Sequence, residues 1–320
     1  MEPRPLKSET SSHSLIPGLP IFIAGPTAIG KSEFAVELAC KIQGEIISAD
    51  ALQVYSGLPI LTAQPESELL ARAPHHLVGH IPAEEDYHVW RYRLEACQKI
   101  ADVLQRGKTP VIVGGSGLYF RALIQGFDPL PAHNLALRNE LEQLSLNVLL
   151  KRLNKVDPHA SERIDIYNRR RVLRAVEICE LSGKPLTTFR TSNQQISAVQ
   201  SLVLMCERKE LYKRIVNRVH YMWEHGVIRE ITEMRSRIGK TASQAIGLRE
   251  IIAWINGELT KAQCQNAICT ATYRYAKRQL TWFRNQTTFA ELCLPRASDV
   301  YAVVEMIIAE LRRLASKAKM

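Results

Sequence analysis

The sequence lacks the cysteine spacings that mark disulfide frameworks and zinc ribbons. Its seven cysteines stand singly, with no Cys-x-x-Cys pair among them. Small secreted domains and structural zinc modules both depend on closely spaced cysteines. We therefore expect neither a disulfide framework nor a zinc ribbon, and we expect the protein to work in a reducing cytoplasm.

Long apolar segments are also missing. The absence of any run of about 18 apolar residues argues against a membrane-spanning helix. Residues 1–19 contain Pro, Ser, Glu and Lys but no apolar stretch, so we predict a disordered tail there rather than a secretion signal. The remaining chain, with 46% hydrophobic and 23% charged residues overall, is long enough to bury a large core.

Four histidines lie near one another in the sequence, at positions 75, 76, 80 and 88. Their spacing does not follow a helical pattern of metal ligands, in which two histidines share one face. We therefore assign no metal site to them.

Positive charge is in excess, at +10, and it is clustered. One group is Arg169, Arg170, Arg171 and Arg174; a second is Lys209, Lys213, Arg214 and Arg218; a third is Arg274, Lys277, Arg278 and Arg284. Aromatic residues interleave the third group. Any one group is compatible with a solvated helix face, but three groups without matching acidic runs favour a polyanionic partner.

Strands and helices alternate through the first part of the chain. Buried strands are predicted at 21–24, 45–48 and 110–115. Helices are predicted at 32–40, at 87–105 and from about Leu118. This alternation predicts an α/β fold with a parallel sheet that carries helices on both faces, and the loop motif described below makes that sheet P-loop NTPase-like.

The pattern changes after Gly126. Between about Leu135 and Leu181 it is helical, with almost no strand signal, and we predict an inserted all-helical subdomain at 126–195. The core would then consist of a first part at 20–125 and a second at 196–315. In the second part we predict a strand at 201–206, three helices reaching about Asn285 and a short strand near 288–294.

A phosphate-binding loop follows the first strand. The octapeptide fits G-x-x-x-x-G-K-[ST] and consists of Gly25, Pro26, Thr27, Ala28, Ile29, Gly30, Lys31 and Ser32. We expect the N–H groups from Thr27 to Ser32 to surround a phosphate, and the Lys31 ammonium to reach its outer oxygens. The Ser32 hydroxyl is a candidate ligand for Mg²⁺. The loop predicts a phosphate, nucleotide or pyrophosphate site, but it does not identify the compound.

Asp50 ends the second strand, and the segment Asp50-Ala51-Leu52-Gln53-Val54-Tyr55 follows the strand directly. Together with the loop, this segment resembles the tRNA dimethylallyltransferase family in its bacterial form. Six further segments continue the resemblance in the same order: Pro74–Leu77, Val111–Tyr119, Ser182–Thr187, Arg214–Val219, Gln244–Gly247 and Ala276–Arg284. The resemblance extends from about Ile21 to Arg284.

The chain differs from the family pattern at four places. Ala51 replaces the usual Ser, and Gln64 replaces a Lys. The usual His-Pro-Asn-Asp segment of the insertion is Asp165-Ile166-Tyr167-Asn168, and Leu248 replaces a Tyr. These positions support contacts to substrate or tRNA more than they form the phosphate loop.

The resemblance implies transfer of a dimethylallyl group from dimethylallyl diphosphate to N6 of the adenosine at tRNA position 37, with release of diphosphate. Asp50 would orient the amine and accept its proton. Ser116 would hydrogen-bond the amine or the leaving oxygen. Lys31 and Arg218 would stabilise the leaving diphosphate, aided by Mg²⁺ at Ser32. Arg214 lies one turn before Arg218 on the same helix face, and the family pattern selects Arg218.

The resemblance also implies that the target base leaves its stack to reach the carboxylate. The implied contacts to the tRNA anticodon stem-loop are Asp50, Ala51, Leu52, Gln53, Ser116, Arg138, Arg170, Arg171, Arg174, Gln244, Gly247 and Arg249. Four of these arginines, Arg138, Arg170, Arg171 and Arg174, belong to the predicted insertion, which could close over the RNA. We expect the protein to act as a monomer away from membranes.

Three alternatives remain at this point. A P-loop nucleoside or nucleotide kinase would use the same loop for ATP and the arginine-rich insertion as a lid. A prenyltransferase acting on free AMP or ADP would not need so long a basic insertion. A non-catalytic RNA-binding module would leave the phosphate loop and Asp50 without a role.

Overall fold

The structure, a computed structural model, describes residues 15, 18–126, 130–131, 134–162, 164–189, 196–197, 200–296 and 299–318. Most of the tail predicted at 1–19 lies outside these residues, as does part of the predicted insertion near its two ends.

Within the described residues, one sheet of six strands organises the molecule. The strands are β1 (Ile21–Ala24), β2 (Gly44–Ala49), β3 (His75–His76), β4 (Thr109–Gly114), β5 (Gln200–Met205) and β6 (Ala290–Cys293). Their order is β3-β2-β4-β1-β5-β6, and every neighbouring pair is parallel. The predicted parallel sheet is thus confirmed. Because all strands run the same way, their carboxyl ends share one edge, which is where open α/β folds bind ligands.

Helices connect and cover the strands. They are α1 (Lys31–Ile42), α2 (Pro59–Thr62), α3 (Ser67–Arg72), α4 (Val89–Gln105), α5 (Gly117–Gln125), α6 (Leu135–Glu142), α7 (Leu146–Val156), α8 (Arg169–Ser182), α9 (Arg208–Glu224), α10 (Val227–Met234), α11 (Leu248–Ile255), α12 (Lys261–Gln286) and α13 (Val300–Ala318).

Strand β1 is apolar along its whole length, as expected for a parallel strand that helices cover on both faces. All four residues of β1 are fully buried. Apolar side chains of α1 and α13 pack with those of β1, β4 and β5 in one hydrophobic cluster. This packing fixes the start of α1, and therefore the loop that precedes it, against the edge of the sheet.

The second part of the core differs from its predicted outline. Four α-helices, α9 to α12, occupy the region where three were predicted, because α10 and α11 are short and separated by 3₁₀ turns at 235–237 and 242–244. The structure also contains α13, which the sequence patterns above did not identify. Its apolar face belongs to the same cluster as β1.

The described residues divide into two compact units. One comprises 1–124 together with 197–320, and the other comprises 125–196. The smaller unit has its own apolar core, which α6, α7 and α8 form through Leu141, Leu149 and Leu173.

The amino end of the sheet carries an ionic cluster. Glu45, the second residue of β2, is 1% exposed and bonds three cationic or imidazole groups. Arg106 donates to both of its oxygens, Lys108 lies 2.9 Å from Oε1, and His76 Nε2 lies 2.7 Å from Oε2. These hydrogen bonds hold the pKa of Glu45 far below its usual range, with the Arg106 bond contributing most. We call Glu45, His76, Arg106 and Lys108 the Glu45 cluster.

The other histidines of this region also have structural partners. His80 contacts Glu95 at 3.0 Å, His75 contacts the Ala73 carbonyl at 2.8 Å, and His88 accepts a hydrogen bond at the start of α4. None of the described helices has the length and hydropathy of a membrane span.

Candidate active site

The phosphate loop connects the carboxyl end of β1 to the first turn of α1. Ala28 and Gly30 have φ of 67° and 97°, in the left-handed region, which lets the loop turn sharply before the helix begins. Lys31 Nζ donates to the carbonyl oxygen of Pro26 within the same loop, at 2.7 Å. Burial lowers the pKa of Lys31 to about 8, Asp50 opposes this shift, and Arg218 adds to it.

Thr27 corrects one expectation for the loop. Its backbone N–H was predicted to face the phosphate, but it donates to Gln279 Oε1 at 2.9 Å. Its hydroxyl accepts a hydrogen bond from Arg218 Nη1. Thr27 therefore offers its side chain to the site, while its amide attaches the loop to α12.

Asp50 lies immediately after β2, at the edge of the sheet where the phosphate loop also lies. Its Oδ1 accepts the amide N–H groups of Leu52 at 2.9 Å and Gln53 at 3.4 Å, which turns the chain away from the sheet. Asp50 is half-buried, and its charge raises the pKa of both Lys31 and Arg218 against the effect of burial. The carboxylate thus faces two cations without taking a hydrogen bond from either among those described.

Helix α9 supplies both arginines of the second basic group. Arg218 bonds Thr27, as described above, and burial lowers its pKa. Arg214 donates from Nη1 to the Ile29 carbonyl at 3.0 Å and from Nε to Glu210 at 2.9 Å. Both arginines therefore contact the phosphate loop, but only Arg214 also forms an ion pair with a carboxylate of its own helix.

Two cavities meet at these groups. The larger, of about 530 Å³, is lined by the phosphate loop, by α2 and α3 with the residues between them, and by α9. The smaller, of about 60 Å³, is lined largely by apolar side chains, including Leu61, Ile215 and Ile268. Five residues line both cavities: Thr27, Asp50, Thr62, Arg218 and Met222. A charged cavity and an apolar recess therefore share a wall that contains the carboxylate and one cation.

Ser116 lies in the turn between β4 and α5. Its N–H donates to the Ala49 carbonyl at 3.2 Å, which places the turn beside the residue that precedes Asp50. Gly115 and Gly117 flank it, and both pack closely against α12. The side chain of Ser116 is half-buried.

The other residues implied to contact tRNA in the larger unit differ in their exposure and in whether they line a cavity. Leu52 lines the smaller cavity and Gln53 the larger one. Gln244 and Arg249 are exposed, whereas Gly247 is buried, has φ of 102° and precedes the first turn of α11. Ala51 is half-buried.

The arginines of the smaller unit also differ from one another. Arg170 and Arg171 are exposed on α8. Arg138 and Arg174 are half-buried and both contact the fully buried carboxylate of Glu177, at 3.4 and 2.9 Å. These two arginines therefore neutralise a buried charge within the unit, a role that the sequence did not predict.

The positions that depart from the family pattern have structural roles here. Gln64 lines the larger cavity and donates from Nε2 to the Tyr55 carbonyl at 2.6 Å. The side chain of Asn168 accepts the Arg171 amide N–H and caps α8. Leu248 is buried at the start of α11.

The half-buried hydroxyl of Ser32, on the wall of the larger cavity, could coordinate a magnesium ion. Among the described residues no group of three or more His, Cys, Asp or Glu side chains is arranged to hold a metal. This arrangement suits Mg²⁺ that is held mainly by phosphate oxygens and water, its usual mode with phosphate substrates.

Comparison with family models places the chain among prenyl-transferring proteins. Residues 53–286 match the model described as IPP transferase, and residues 21–75 match the model described as Isopentenyl transferase.

Similar proteins and structures agree with these matches. The chain is 41% identical over 274 residues to tRNA dimethylallyltransferase 2 of Geotalea uraniireducens, covering 82% of this chain and 88% of that one. It is 37% identical over 297 residues to tRNA dimethylallyltransferase of Geobacter sulfurreducens, covering 89% and 95%.

Two solved structures are similar over most of the chain. The tRNA isopentenylpyrophosphate transferase of Bacillus halodurans aligns with a TM-score of 0.67 and 33% identity, covering 94% of this chain and 99% of that one. A eukaryotic dimethylallyltransferase described as acting on tRNA aligns with a TM-score of 0.74 and 29% identity, covering 86% and 73%.

Proposed function

Since the chain belongs to the tRNA dimethylallyltransferase family and transfers a dimethylallyl group to tRNA, we propose that the donor is dimethylallyl diphosphate and the acceptor is N6 of the adenosine at tRNA position 37, 3′ of the anticodon. The observation that carries this proposal is the shared wall of the two cavities, in which Thr27, Asp50 and Arg218 line both the charged space and the apolar recess.

The diphosphate would bind at the phosphate loop, with Lys31 and Arg218 as its cationic contacts. The loop amides beyond Thr27 and the start of α1 add partial positive charge. The apolar recess beside them, lined by Leu61 and Ile268, suits the hydrocarbon part of the donor. The allylic carbon would then lie at the junction of the two cavities, next to Asp50.

The adenine N6 amine is a poor nucleophile because its lone pair is conjugated with the ring. As the N6–C bond forms and the allylic C–O bond breaks, positive charge develops on the nitrogen and negative charge on the departing diphosphate. Asp50 accepts the N6 proton, so the products are a neutral secondary amine and free diphosphate. Arg218 and Lys31 stabilise the diphosphate as its charge increases.

The sequence also suggests how the acceptor is held. Ser116 follows β4 at the same edge of the sheet and would hydrogen-bond the amine or the leaving oxygen. Mg²⁺ at the Ser32 hydroxyl would neutralise part of the diphosphate charge. The exposed arginines Arg170, Arg171 and Arg249 are the candidates for phosphate contacts along the anticodon stem-loop, together with Gln244. We further propose that the protein acts as a cytoplasmic monomer.

The test is transfer of labelled dimethylallyl diphosphate to an anticodon stem-loop, followed by nucleoside mass spectrometry. We expect N6-(dimethylallyl)adenosine at position 37, and no product from a stem-loop that carries guanosine there. Asp50→Ala should retain binding of the stem-loop and lose most turnover in a single-turnover assay. Asp102→Asn, at an exposed aspartate on α4, is the matched control and should behave as wild type.

A parallel incubation with γ-labelled ATP and nucleosides addresses the kinase alternative. Phosphate transfer to a nucleoside, without prenyl transfer to RNA, would contradict the proposal.

A further inference from the structure

We propose that Gln279 is a positioning residue, which fixes the phosphate loop and the Ser116 turn to each other through a single amide group. The inference rests on the proposed function, since it assigns Gln279 to the alignment of that reaction. Gln279 belongs to a segment, Ala276–Arg284, to which the sequence attached no chemical role.

The contacts of Gln279 join three elements. It lies on α12 and is 5% exposed. Its Oε1 accepts the Thr27 amide N–H from the phosphate loop at 2.9 Å. Its Nε2 donates to the carbonyl of Gly115, the residue that directly follows β4, at 2.9 Å. The residue thus spans the gap between two loops at the carboxyl edge of the sheet.

The glycines on either side of Ser116 are explained by this packing. A Cβ at Gly115 would lie 2.2 Å from Gln279 Nε2, and a Cβ at Gly117 would lie 2.3 Å from the Trp282 ring. Neither distance is possible for a real side chain, so α12 approaches the turn as closely as glycine permits. The Ser116 turn is therefore held from one side by Gln279 and Trp282.

A neutral amide satisfies both partners at once, which an ionised carboxylate or an apolar side chain cannot do. The Thr27 N–H needs an acceptor and the Gly115 carbonyl needs a donor, and Gln279 supplies one of each from the same planar group. A buried backbone group that loses its hydrogen-bond partner destabilises the folded state. The surrounding backbone therefore moves, or accepts water, when this amide is removed.

The contact network leads from Gln279 to the reacting groups. Thr27, whose amide Gln279 holds, accepts a hydrogen bond from Arg218 through its hydroxyl. Ser116 directly follows the carbonyl that Gln279 holds. A shift of either loop changes the distance between the diphosphate contact and the amine contact. A misplacement of about 1 Å in such a site can cost about a hundredfold in rate.

The experiment compares Gln279→Ala and Gln279→Glu with the full-length wild-type chain, using dimethylallyl diphosphate and an anticodon stem-loop. We expect Gln279→Ala to lower kcat about 10- to 100-fold, with the KM for the stem-loop changed about twofold or less. Cys264→Ala removes a buried side chain elsewhere on α12 and is the control: it should lower thermal stability but leave kcat unchanged.

Gln279→Glu keeps the shape of the side chain but changes its hydrogen-bonding capacity with pH. The pH dependence of its kcat is therefore a readout that a loss of packing alone would not produce. At neutral pH the carboxylate accepts from Thr27 but repels the Gly115 carbonyl, so kcat should fall. When the carboxyl is protonated it regains a donor, so the ratio of variant to wild-type kcat should rise as pH is lowered from 8 to 5.5. Division by the wild-type value removes any pH dependence that the two enzymes share.

The outcomes distinguish failure of the Gln279 inference from failure of the proposed function. Wild-type kcat in folded Gln279→Ala, or a variant-to-wild-type ratio for Gln279→Glu that stays constant with pH, overturns the inference and leaves the proposed function intact. A wild-type chain that transfers no prenyl group to the stem-loop overturns both. If Gln279→Ala does not fold, the near-isosteric Gln279→Glu decides alone through its pH profile.

Discussion

An acidic residue lies at each end of strand β2: Glu45 within its amino end, and Asp50, five positions later, directly after its carboxyl end. The two carboxylates differ in the partners that bond them. Glu45, at the amino end, is buried and bonded by Arg106, Lys108 and His76. Asp50, at the carboxyl end, accepts only short-range amide bonds from Leu52 and Gln53 among the described residues. The charge of Asp50 raises the pKa of Lys31 and Arg218, but both cations hydrogen-bond to the phosphate loop.

This difference distinguishes a structural carboxylate from one available for chemistry. The charge of Glu45 is compensated within the protein, so it adds to stability and has no capacity for a substrate. Asp50 lines a cavity together with Lys31 and Arg218, and under the proposed function these two cations contact the donor diphosphate. Perturbed charges that are not mutually satisfied are typical of active sites.

The sharpest test of this comparison removes the charge of Asp50 and keeps its shape. Asp50→Asn should lower the single-turnover rate about a thousandfold or more, because general-base catalysis contributes about 10²- to 10⁴-fold and the amide cannot accept the proton. Thermal unfolding should be nearly unchanged, since an amide oxygen can still accept from the Leu52 N–H. A rate within tenfold of wild type would remove Asp50 from the role of base.

The second test compares the two arginines of α9. Arg218→Ala should lower kcat/KM about a hundredfold, as is typical when one donor to a developing negative charge is lost. Arg214→Ala should cost about tenfold or less, because Glu210 already neutralises part of its charge. Steady-state kinetics with varied dimethylallyl diphosphate would measure both, and equal losses would contradict the assignment.

The third test breaks the Glu45 cluster. Glu45→Gln should lower the free energy of unfolding by about 2 kcal/mol at pH 7, because three partners lose a charged acceptor, two of them half-exposed. The folded-state pKa of Glu45 lies below its unfolded value, so the stabilisation is present above about pH 4.3 and is lost as the pH falls below it. The difference between variant and wild type should therefore shrink in acid, while kcat at pH 7 stays unchanged. Denaturant unfolding at pH 7 and pH 3.5 would check this.

The smallest expected effect is the pH dependence that Lys31 gives to the binding of dimethylallyl diphosphate. Its pKa of about 8 in the ligand-free protein means that it loses its charge as pH rises through that value. Bound diphosphate favours the charged form, so the Kd for dimethylallyl diphosphate should increase by at most about tenfold per pH unit above pH 8 and stay flat with respect to this group below it. Calorimetric titration without tRNA isolates this binding step. Lys31→Arg, which remains charged, should show no such rise.

The sequence predicted the sheet well because its strands are short apolar runs with clear ends. Strands β1, β2, β4, β5 and β6 were all predicted within about two residues. Strand β3, only His75–His76, and the short helices α2 and α3 have too few residues to show a periodicity. The region of α10 and α11 was read as fewer helices, since two 3₁₀ turns break its pattern.

The site was predictable where a local motif carries it. The phosphate loop is a motif of eight consecutive residues, and the structure places Asp50 at the same edge of the sheet, whereas the role proposed for Asp50 came from the family resemblance. The Thr27–Gln279 contact joins residues 252 positions apart, and no local pattern indicates it. Likewise, Arg214 and Arg218 share a helix face, so spacing alone cannot rank them, whereas their partners in the structure do.

Helix α10 supports the chain segment that forms one wall of the apolar recess, where the hydrocarbon part of the donor is proposed to bind. Its Glu230 accepts the N–H groups of Ile60 and Leu61, both at 2.8 Å, and its Met234 lies where a Cβ at Gly57 would stand. One helix thus braces the chain segment whose Leu61 borders the apolar recess. Selection for enzymes that accept longer prenyl donors should therefore recover substitutions in α10 as well as in the recess itself.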